Sequence, residues 1–192
     1  MSKMRKQEII ECSLKILLEQ GVGSLTIKNI AKEIGFVESA VYRHFSSKNE
    51  IMQNMLMYLE KECTKVLGAV KSSESEPFEK IRVYFSEWNK AYQEKPYLIP
   101  VFFSKELFKA DGEFAAGLQN LLNEQNIVLS RIVKEGQEDG SFQKDLNSEH
   151  LRLIMVSPVI LLVDSWFYSG MSFPLQPATD GVLDTVEKVV TG

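Results

Sequence analysis

Apolar residues recur at steps of three and four along almost the whole 192-residue chain. This spacing puts them on one face of an α-helix, whereas a half-buried strand needs strict alternation of apolar and polar residues. Between residues 78 and 92, for example, Phe78, Ile81, Phe85, Trp88 and Tyr92 follow one another at helical steps. The sequence has no convincing alternating run between turn residues. We therefore predict an all-α protein of about nine helices.

The composition is that of an ordinary globular protein, with 44% apolar and 25% charged residues. Cys12 and Cys63 stand far apart, outside any CxxC or Cys/His cluster, which argues against a disulfide scaffold or a zinc site. No apolar segment follows the first charged residues, so we expect no secretory signal. The longest apolar run, residues 153–163, is shorter than the roughly 20 residues that span a bilayer. We expect a cytoplasmic protein with no membrane attachment, no cofactor and no metal.

Charge is distributed unevenly along the chain. Residues 1–50 carry eight Lys/Arg and six Asp/Glu, whereas residues 51–192 carry fourteen and twenty. A mildly basic end on an acidic body is compatible with an end that binds nucleic acid.

The segment from residue 26 to residue 45 has the proportions of a helix-turn-helix. Thr26 is a suitable N-cap for an amphipathic helix that Gly35 ends, because glycine tolerates the left-handed backbone of a helix terminus. A very short third helix follows over residues 38–45, and "SSKNE" then supplies Ser46 or Ser47 as the cap of a long fourth helix.

The third helix has one apolar side and one polar side. Val41 and Phe45 are four residues apart and should face the core, which puts Ser39, Tyr42 and Arg43 together on the opposite side. So short a helix buries little apolar surface, so we interpret it as an element that presents its polar side to a partner. The chemistry suits the DNA major groove, where hydroxyl and cationic groups bind phosphates and arginine binds guanine edges.

The stretch "SLTIKNIAKEIGFVESAVYRHFSSKNEIM", residues 24–52, closely resembles the DNA-binding head of the tetracycline-repressor (TetR) family. The resemblance extends over about residues 5–60. The matching positions are Thr26, Ile30, Ala31, Gly35, Ser39, Val41, Tyr42, His44, Phe45, Ser47 and Lys48. The family consists of homodimeric transcriptional regulators, mostly repressors, whose C-terminal helices bind a small effector.

The resemblance implies two sets of DNA contacts. The phosphate backbone would be contacted by Thr26, Tyr42, His44 and Lys48, with Lys28 as a further candidate. The base edges would be met by Glu38, Ser39, Ala40 and Arg43. The chain departs from the family at Val37, where a serine or threonine usually caps the recognition helix, so about 1 kcal/mol of helix stability is forgone. Leu25 and Asn49 also differ from the usual residues.

Two domains are expected. Residues 1–48 form the helix-turn-helix domain, a fourth helix over residues 49–70 connects, and residues 49–192 form the effector-binding and dimerisation domain.

The body is dense in aromatic residues, with seven of them between positions 85 and 108. Two interpretations stay open: a packed core, or a pocket for a lipophilic or aromatic effector. The candidate pocket residues are Trp88, Tyr92, Phe103 and Trp166, with Asn89, Gln125 or Asp164 to orient a polar end.

The helix that contains "LIMVSPVILLV" is apolar on every side, so it should be buried all round. A core on one side and a partner subunit on the other would account for this. The resemblance implies the same, because the last two helices of the family form the dimer interface.

The predicted function is a ligand-responsive transcriptional regulator, most simply a homodimeric repressor of a palindromic operator. Alternatives are an activator of the same fold, a helical adaptor that binds protein through Tyr42 and Arg43, and an all-α small-molecule-binding protein or enzyme. The sequence has no nucleophile–base pair, GxSxG motif, phosphate loop or metal cluster, so we predict that the chain is not an enzyme.

Overall fold

The computed structural model describes the backbone of residues 2–103 and 112–191, and the side chains of these residues except 2–4, 18, 22 and 103. The described residues form nine α-helices, one 3₁₀ turn at Val22–Ser24 and no strand. The helices are α1 Ser2–Gln20, α2 Ile27–Ile34, α3 Glu38–Tyr42, α4 Lys48–Lys71, α5 Pro77–Glu94, α6 Leu98–Phe103, α7 Glu113–Asp139, α8 Ser148–Tyr168 and α9 Leu175–Thr191. The prediction of an all-α fold with about nine helices is confirmed.

The chain divides into two compact units. The first unit comprises Met1–Glu62 with Pro100–Leu121, and the second comprises Cys63–Ile99 with Leu122–Gly192. Helices α4, α6 and α7 each carry residues of both units. The predicted domain boundary at residue 48 stays a prediction.

Helix α2 begins and ends at the residues that the sequence indicates. The Thr26 hydroxyl accepts a hydrogen bond from the Asn29 amide at 3.1 Å, which caps the first turn. Gly35 ends the helix with φ +75°, a left-handed conformation that favours glycine. Ile30 and Ala31 are buried, so the apolar stripe of α2 faces the core of the first unit.

Helix α3 is three residues shorter than predicted. It ends at Tyr42, but the Phe45 amide still donates to the Val41 carbonyl at 3.0 Å, so the chain makes one further turn. Val41 is 0% exposed and Phe45 is 1% exposed. These two side chains fasten the short helix to the first unit, as the sequence predicts.

Of the two serines that could cap α4, Ser47 does so, because its Oγ accepts from the Glu50 amide at 3.2 Å. The Glu50 carboxylate in turn accepts from the Ser46 amide at 2.6 Å and from the Ser46 hydroxyl at 2.7 Å. These hydrogen bonds, the backbone one first, hold the pKa of Glu50 below its usual value. The Ser47 and Glu50 side chains therefore fix the end of the loop between α3 and α4.

In the second unit, α5 and α9 run antiparallel. Near the start of α5, the Arg82 guanidinium pairs with Asp184 and Glu187, both at 2.8 Å, near the end of α9. Near the end of α5, the Asn89 amide donates to Gln176 and Thr179 near the start of α9. The polar contacts at both ends set the register between the two helices.

The sequence predicts that the last helix starts at Thr179 or Asp180, because both are residue types that commonly cap helices. This prediction is wrong, since α9 begins four residues before Thr179, at Leu175. Thr179 is 0% exposed and uses its hydroxyl to accept from Asn89. Pro177 is compatible with this start because a first-turn residue needs no intrahelical acceptor for its amide.

Helix α8 has a buried side and an exposed apolar side. Asn147 caps it through the amides of Glu149 and His150. The buried side includes Leu151, Met155, Val159 and Val163. The exposed side carries Leu153, Ile154, Ile160, Leu161 and Tyr168. The expectation of burial all round therefore does not hold within a single chain.

By length and composition alone, α8 could also cross a membrane. The 21-residue helix has a mean hydropathy of 1.6 over its most apolar window, and 33% of that window is buried. The apolar run of residues 153–163 is part of this longer helix, so its own length does not exclude a span. The core helix of a soluble protein meets the same criteria.

Two helical glycines should respond oppositely to alanine. A Cβ at Gly136 would lie 2.2 Å from the ring of Phe142, which is 2% exposed and cannot move aside. We expect Gly136→Ala to lower the free energy of unfolding by about 1–3 kcal/mol, the usual cost of overpacking.

The matched control is Gly68→Ala in α4, where a Cβ meets nothing within 4 Å. It should raise the free energy of unfolding by about 0.5–1 kcal/mol through helix propensity. Urea denaturation followed by circular dichroism measures both variants. Equal effects of the two substitutions would contradict the close packing of Phe142 on α7.

Candidate functional site

The polar side of α3 is exposed to solvent. Glu38, Ser39, Tyr42 and Arg43 are exposed, and Ala40 is half-buried; we call these five residues the recognition face. Tyr42 is 52% exposed, although it follows the fully buried Val41. A helix that is buried on one side and polar on the other can place its polar side chains in a groove without losing its own packing.

The candidates for phosphate contacts lie on either side of the recognition face along the chain. Thr26 and Lys28 are exposed, and His44 and Lys48 are half-buried. The Thr26 oxygen already accepts from Asn29, but its hydroxyl hydrogen can still donate to a phosphate oxygen. Lys48 is the first residue of α4, directly after the Ser47 cap.

Val37 precedes α3 in an extended conformation, with φ −89° and ψ 149°, and makes no side-chain cap. Its side chain is 66% exposed. The first turn of α3 therefore lacks the hydrogen bond that serine or threonine would supply, as the sequence predicts.

A polar cluster lies among the aromatic residues of the second unit. Gln125 is 5% exposed, and its Oε1 accepts from the Tyr84 hydroxyl at 2.7 Å and from the Trp88 indole at 3.0 Å. Its Nε2 donates to the Cys63 sulfur at 3.8 Å. Burial raises the pKa of Tyr84, which keeps the phenol protonated as a donor.

The structure brings three of the candidate effector residues together. Trp88 binds Gln125 and stacks on Tyr92, with 5.2 Å between ring centroids. Tyr84 and Cys63 belong to the same cluster but were not singled out from the sequence. Tyr84 lies four residues before Trp88, so helical spacing could have indicated it.

The other candidates are placed differently. The Trp166 indole donates to the Phe173 carbonyl at 2.8 Å, so it fastens the α8–α9 connection. Asp164 is half-buried on α8. The side chain of Phe103 lies outside the described residues.

Asn89, next to Trp88, is 0% exposed, and its Nδ2 donates to Thr179 and Gln176. Its Oδ1 is buried and has no hydrogen-bond partner among the described residues. An acceptor left in this state costs about 1–3 kcal/mol, so it is an unusual feature in a helical core.

The surface of the described residues includes two grooves. One, of about 620 Å³, follows the exposed side of α7 and is lined by Asn123, Asn126, Ile127, Ser130, Arg131 and Lys134. The other, of about 540 Å³, lies in the first unit between the starts of α4 and α7. None of the candidate effector residues whose side chains the structure describes lines either groove.

Two family profiles match the chain. One is described as bacterial regulatory proteins of the tetR family and matches residues 9–55. The other is described as the C-terminal region of YsiA-like proteins and matches residues 48–188, well over half of the chain. The chain belongs to the TetR family.

Individual regulators are similar to this chain in sequence or in fold. The regulator AcrR of Shigella flexneri is 24% identical over 178 residues, which cover 89% of this chain and 82% of that protein. The structure of the ketosteroid regulator KstR2 of Mycobacterium tuberculosis has a TM-score of 0.82 at 20% identity, covering 98% of this chain and 95% of that chain. FadR of Bacillus subtilis, in complex with stearoyl-CoA, has a TM-score of 0.74 at 19% identity, covering 94% and 96%.

The chain is thus a ligand-responsive DNA-binding transcriptional regulator with a helix-turn-helix head. The TetR family is a family of regulators and not of enzymes.

Restoring a cap at the start of α3 should stabilise the head. In Val37→Ser, the new hydroxyl can accept from the amide of Ser39 or Ala40, and we expect the free energy of unfolding to rise by about 0.5–1 kcal/mol. Urea denaturation measures the change. Val37→Ala is the control, since alanine also lacks a capping group; identical midpoints for V37S and V37A would show that the cap is not what this helix lacks.

Proposed function

We propose that this TetR-family protein is a homodimeric repressor that binds a palindromic operator and leaves it when a small lipophilic or aromatic effector binds. The observation that carries the proposal is the recognition face of α3, exposed while Val41 and Phe45 beneath it are buried. We place the protein in the cytoplasm, where its operator DNA lies.

On the DNA, the two kinds of candidate residue would have different tasks. Arg43 can form two parallel hydrogen bonds to a guanine edge, and Ser39 and Ala40 are small enough to bring α3 close to the bases. Glu38 can accept from a cytosine amino group. Thr26, Lys28, Tyr42, His44 and Lys48 would bind phosphates and hold the head in position.

Dimerisation through α8 and α9 is supported by the apolar side of α8 that a single chain leaves exposed. Leu161 is 66% exposed and Leu153 is 45% exposed, and on α9 Val189 is 52% exposed. A two-fold axis would bury the same side of both subunits. Two recognition helices about 34–36 Å apart would then read the two halves of a palindrome.

An effector with a lipophilic body is supported by the buried aromatic residues around Gln125. The names of two structurally similar proteins point the same way, since one is a ketosteroid regulator and the other was solved with stearoyl-CoA. Trp88 and Tyr92 would contact the apolar part, and Gln125 would orient a polar group. Phe103 and Trp166 remain proposed pocket residues.

Effector binding would act on DNA through α4, which carries residues of both units. A tilt of this helix would move the two heads out of register with the operator. The effector must bind the two states with different affinity, and a coupling of about 1–3 kcal/mol is typical. Whether transcription from the operator rises or falls when the effector is added distinguishes this repressor from an activator of the same fold.

Two substitutions in the head should weaken operator binding in different ways. On an operator obtained by genome-wide binding selection, Arg43→Ala should cost about 1–3 kcal/mol and relax the base preference at one position of each half-site. Lys48→Ala should weaken binding to all sequences alike and reduce the slope of log affinity against log salt by about one.

Fluorescence anisotropy at several salt concentrations measures both effects, with Lys71→Ala at the far end of α4 as a charge-matched control. If R43A kept wild-type affinity and base preference, the proposal that α3 contacts the base edges would be refuted. A helical adaptor would show no selected operator at all.

A charge on the exposed side of α8 should separate the subunits. We expect Leu161→Glu to sediment as a monomer and to lose most operator affinity, because an interfacial carboxylate without a partner is costly. The matched control is Met57→Glu on α4, equally exposed at 63% but outside the proposed interface. Analytical ultracentrifugation checks both. A monomeric wild type, or a dimeric L161E, would refute the interface.

A further inference from the structure

The buried acceptor of Asn89 marks a point in the second unit that can receive a hydrogen-bond donor. Its Nδ2 donates to Gln176 Oε1 at 3.0 Å and to Thr179 Oγ1 at 2.9 Å. Its Oδ1 has no partner among the described residues, and the residue is 0% exposed. Among the described residues, the Nδ2 end of the Asn89 amide therefore has hydrogen-bond partners and the Oδ1 end has none.

The orientation of the amide is determined by its neighbours. The exposed carboxylate of Asp180 can only accept, so Gln176 directs its Nε2 to it, at 2.8 Å. The Gln176 Oε1 atom must then face Asn89, and Asn89 donates a hydrogen bond to it from Nδ2. Rotating the Asn89 amide by half a turn would set two carbonyl oxygens against each other. Asp180 thus fixes, through Gln176, which atom of Asn89 is left without a donor.

The position of Asn89 on α5 connects this acceptor with the aromatic residues. Asn89 directly follows Trp88, and Phe85 and Tyr92 lie one turn away on its own side of the helix. Trp88 and Tyr92 form the stack described above. The acceptor therefore belongs to the same part of α5 as the residues proposed to contact the apolar part of the effector.

We propose that Asn89 Oδ1 accepts a hydrogen bond from a hydroxyl group on the lipophilic effector; this rests on the proposed effector function. A hydroxyl matches the site because it brings one donor to one unsatisfied acceptor. A cationic donor would need a counter-charge, whereas the groups that hold the amide, Gln176 and Thr179, are neutral. An amide donor would bring a carbonyl that needs a partner of its own.

The experiment uses the full-length protein on its selected operator and three pairs of probes, each pair differing by one hydroxyl. The pairs are hexadecanoyl-CoA and 3-hydroxyhexadecanoyl-CoA, androst-4-en-3-one and testosterone, and 3-phenylpropanoate and 3-(4-hydroxyphenyl)propanoate. The concentration of each probe that releases half of the operator is measured for the wild type, for Asn89→Leu and for Thr179→Val. Asn89→Leu keeps the approximate volume but removes both the acceptor Oδ1 and the donor Nδ2. Thr179→Val removes a partner of Nδ2 but leaves Oδ1, so it controls for the loss of the Nδ2 contacts.

For at least one pair we expect the hydroxylated probe to release the operator from the wild type at a roughly tenfold lower concentration, as one hydrogen bond to a buried group allows. In N89L this preference should fall to within about twofold while the unhydroxylated probe acts as before, and T179V should keep the preference. Circular dichroism and operator affinity without probe establish that each variant is folded. Asn89→Met replaces Asn89→Leu if the latter does not fold.

Two failures can be told apart. If probes release the operator but the hydroxyl brings no advantage, or N89L keeps the advantage, the role of Asn89 is refuted and the lipophilic effector stands. If no probe releases an operator that the protein still binds, both the proposed lipophilic effector and this inference are refuted.

Discussion

The proposed DNA-binding surface depends on the burial of Val41 and Phe45. A helix of five residues is not stable by itself in water, since so short a segment cannot offset the cost of helix nucleation. Val37 adds no cap to it. The helix therefore persists because two apolar side chains anchor it to the rest of the head, and the same anchor turns the side with Tyr42 and Arg43 outward. The burial of these two side chains therefore both holds α3 in place and exposes its polar side.

Polar groups in the second unit fall into two kinds. Gln125 is surrounded by Tyr84, Trp88 and Cys63, which occupy both ends of its amide and hold it in one orientation. Asn89 is satisfied at one end only. The first arrangement fixes the orientation of the amide that is proposed to orient a polar group of the effector, and the second leaves an acceptor without a partner among the described residues. The difference would be invisible from the residue types alone, since both are buried amides beside aromatic rings.

Helix α8 is apolar on its buried side and on part of its exposed side. Its inner side packs within the second unit and its outer side stays exposed in the single chain. Hydropathy averages over both sides, so it cannot tell a helix that meets a second subunit from one that meets lipid. Membership of the TetR family favours contact of α8 with a second subunit over contact with lipid. The positions of Leu153 and Leu161 on one side of the helix are compatible with such a contact.

The sequence by itself determined the all-α class, the helix-turn-helix and the ends of α2. It could do so because these depend on hydrogen bonds and apolar spacing within a few residues, as at Thr26, Gly35 and the Val41–Phe45 pair. Only the tertiary structure decided that Thr179 is a buried partner of Asn89 and not a helix cap, and that the Trp166 indole donates to the Phe173 carbonyl in the α8–α9 connection. The Asn89–Thr179 pairing joins residues distant in the chain, and which helices meet depends on packing that no local pattern encodes.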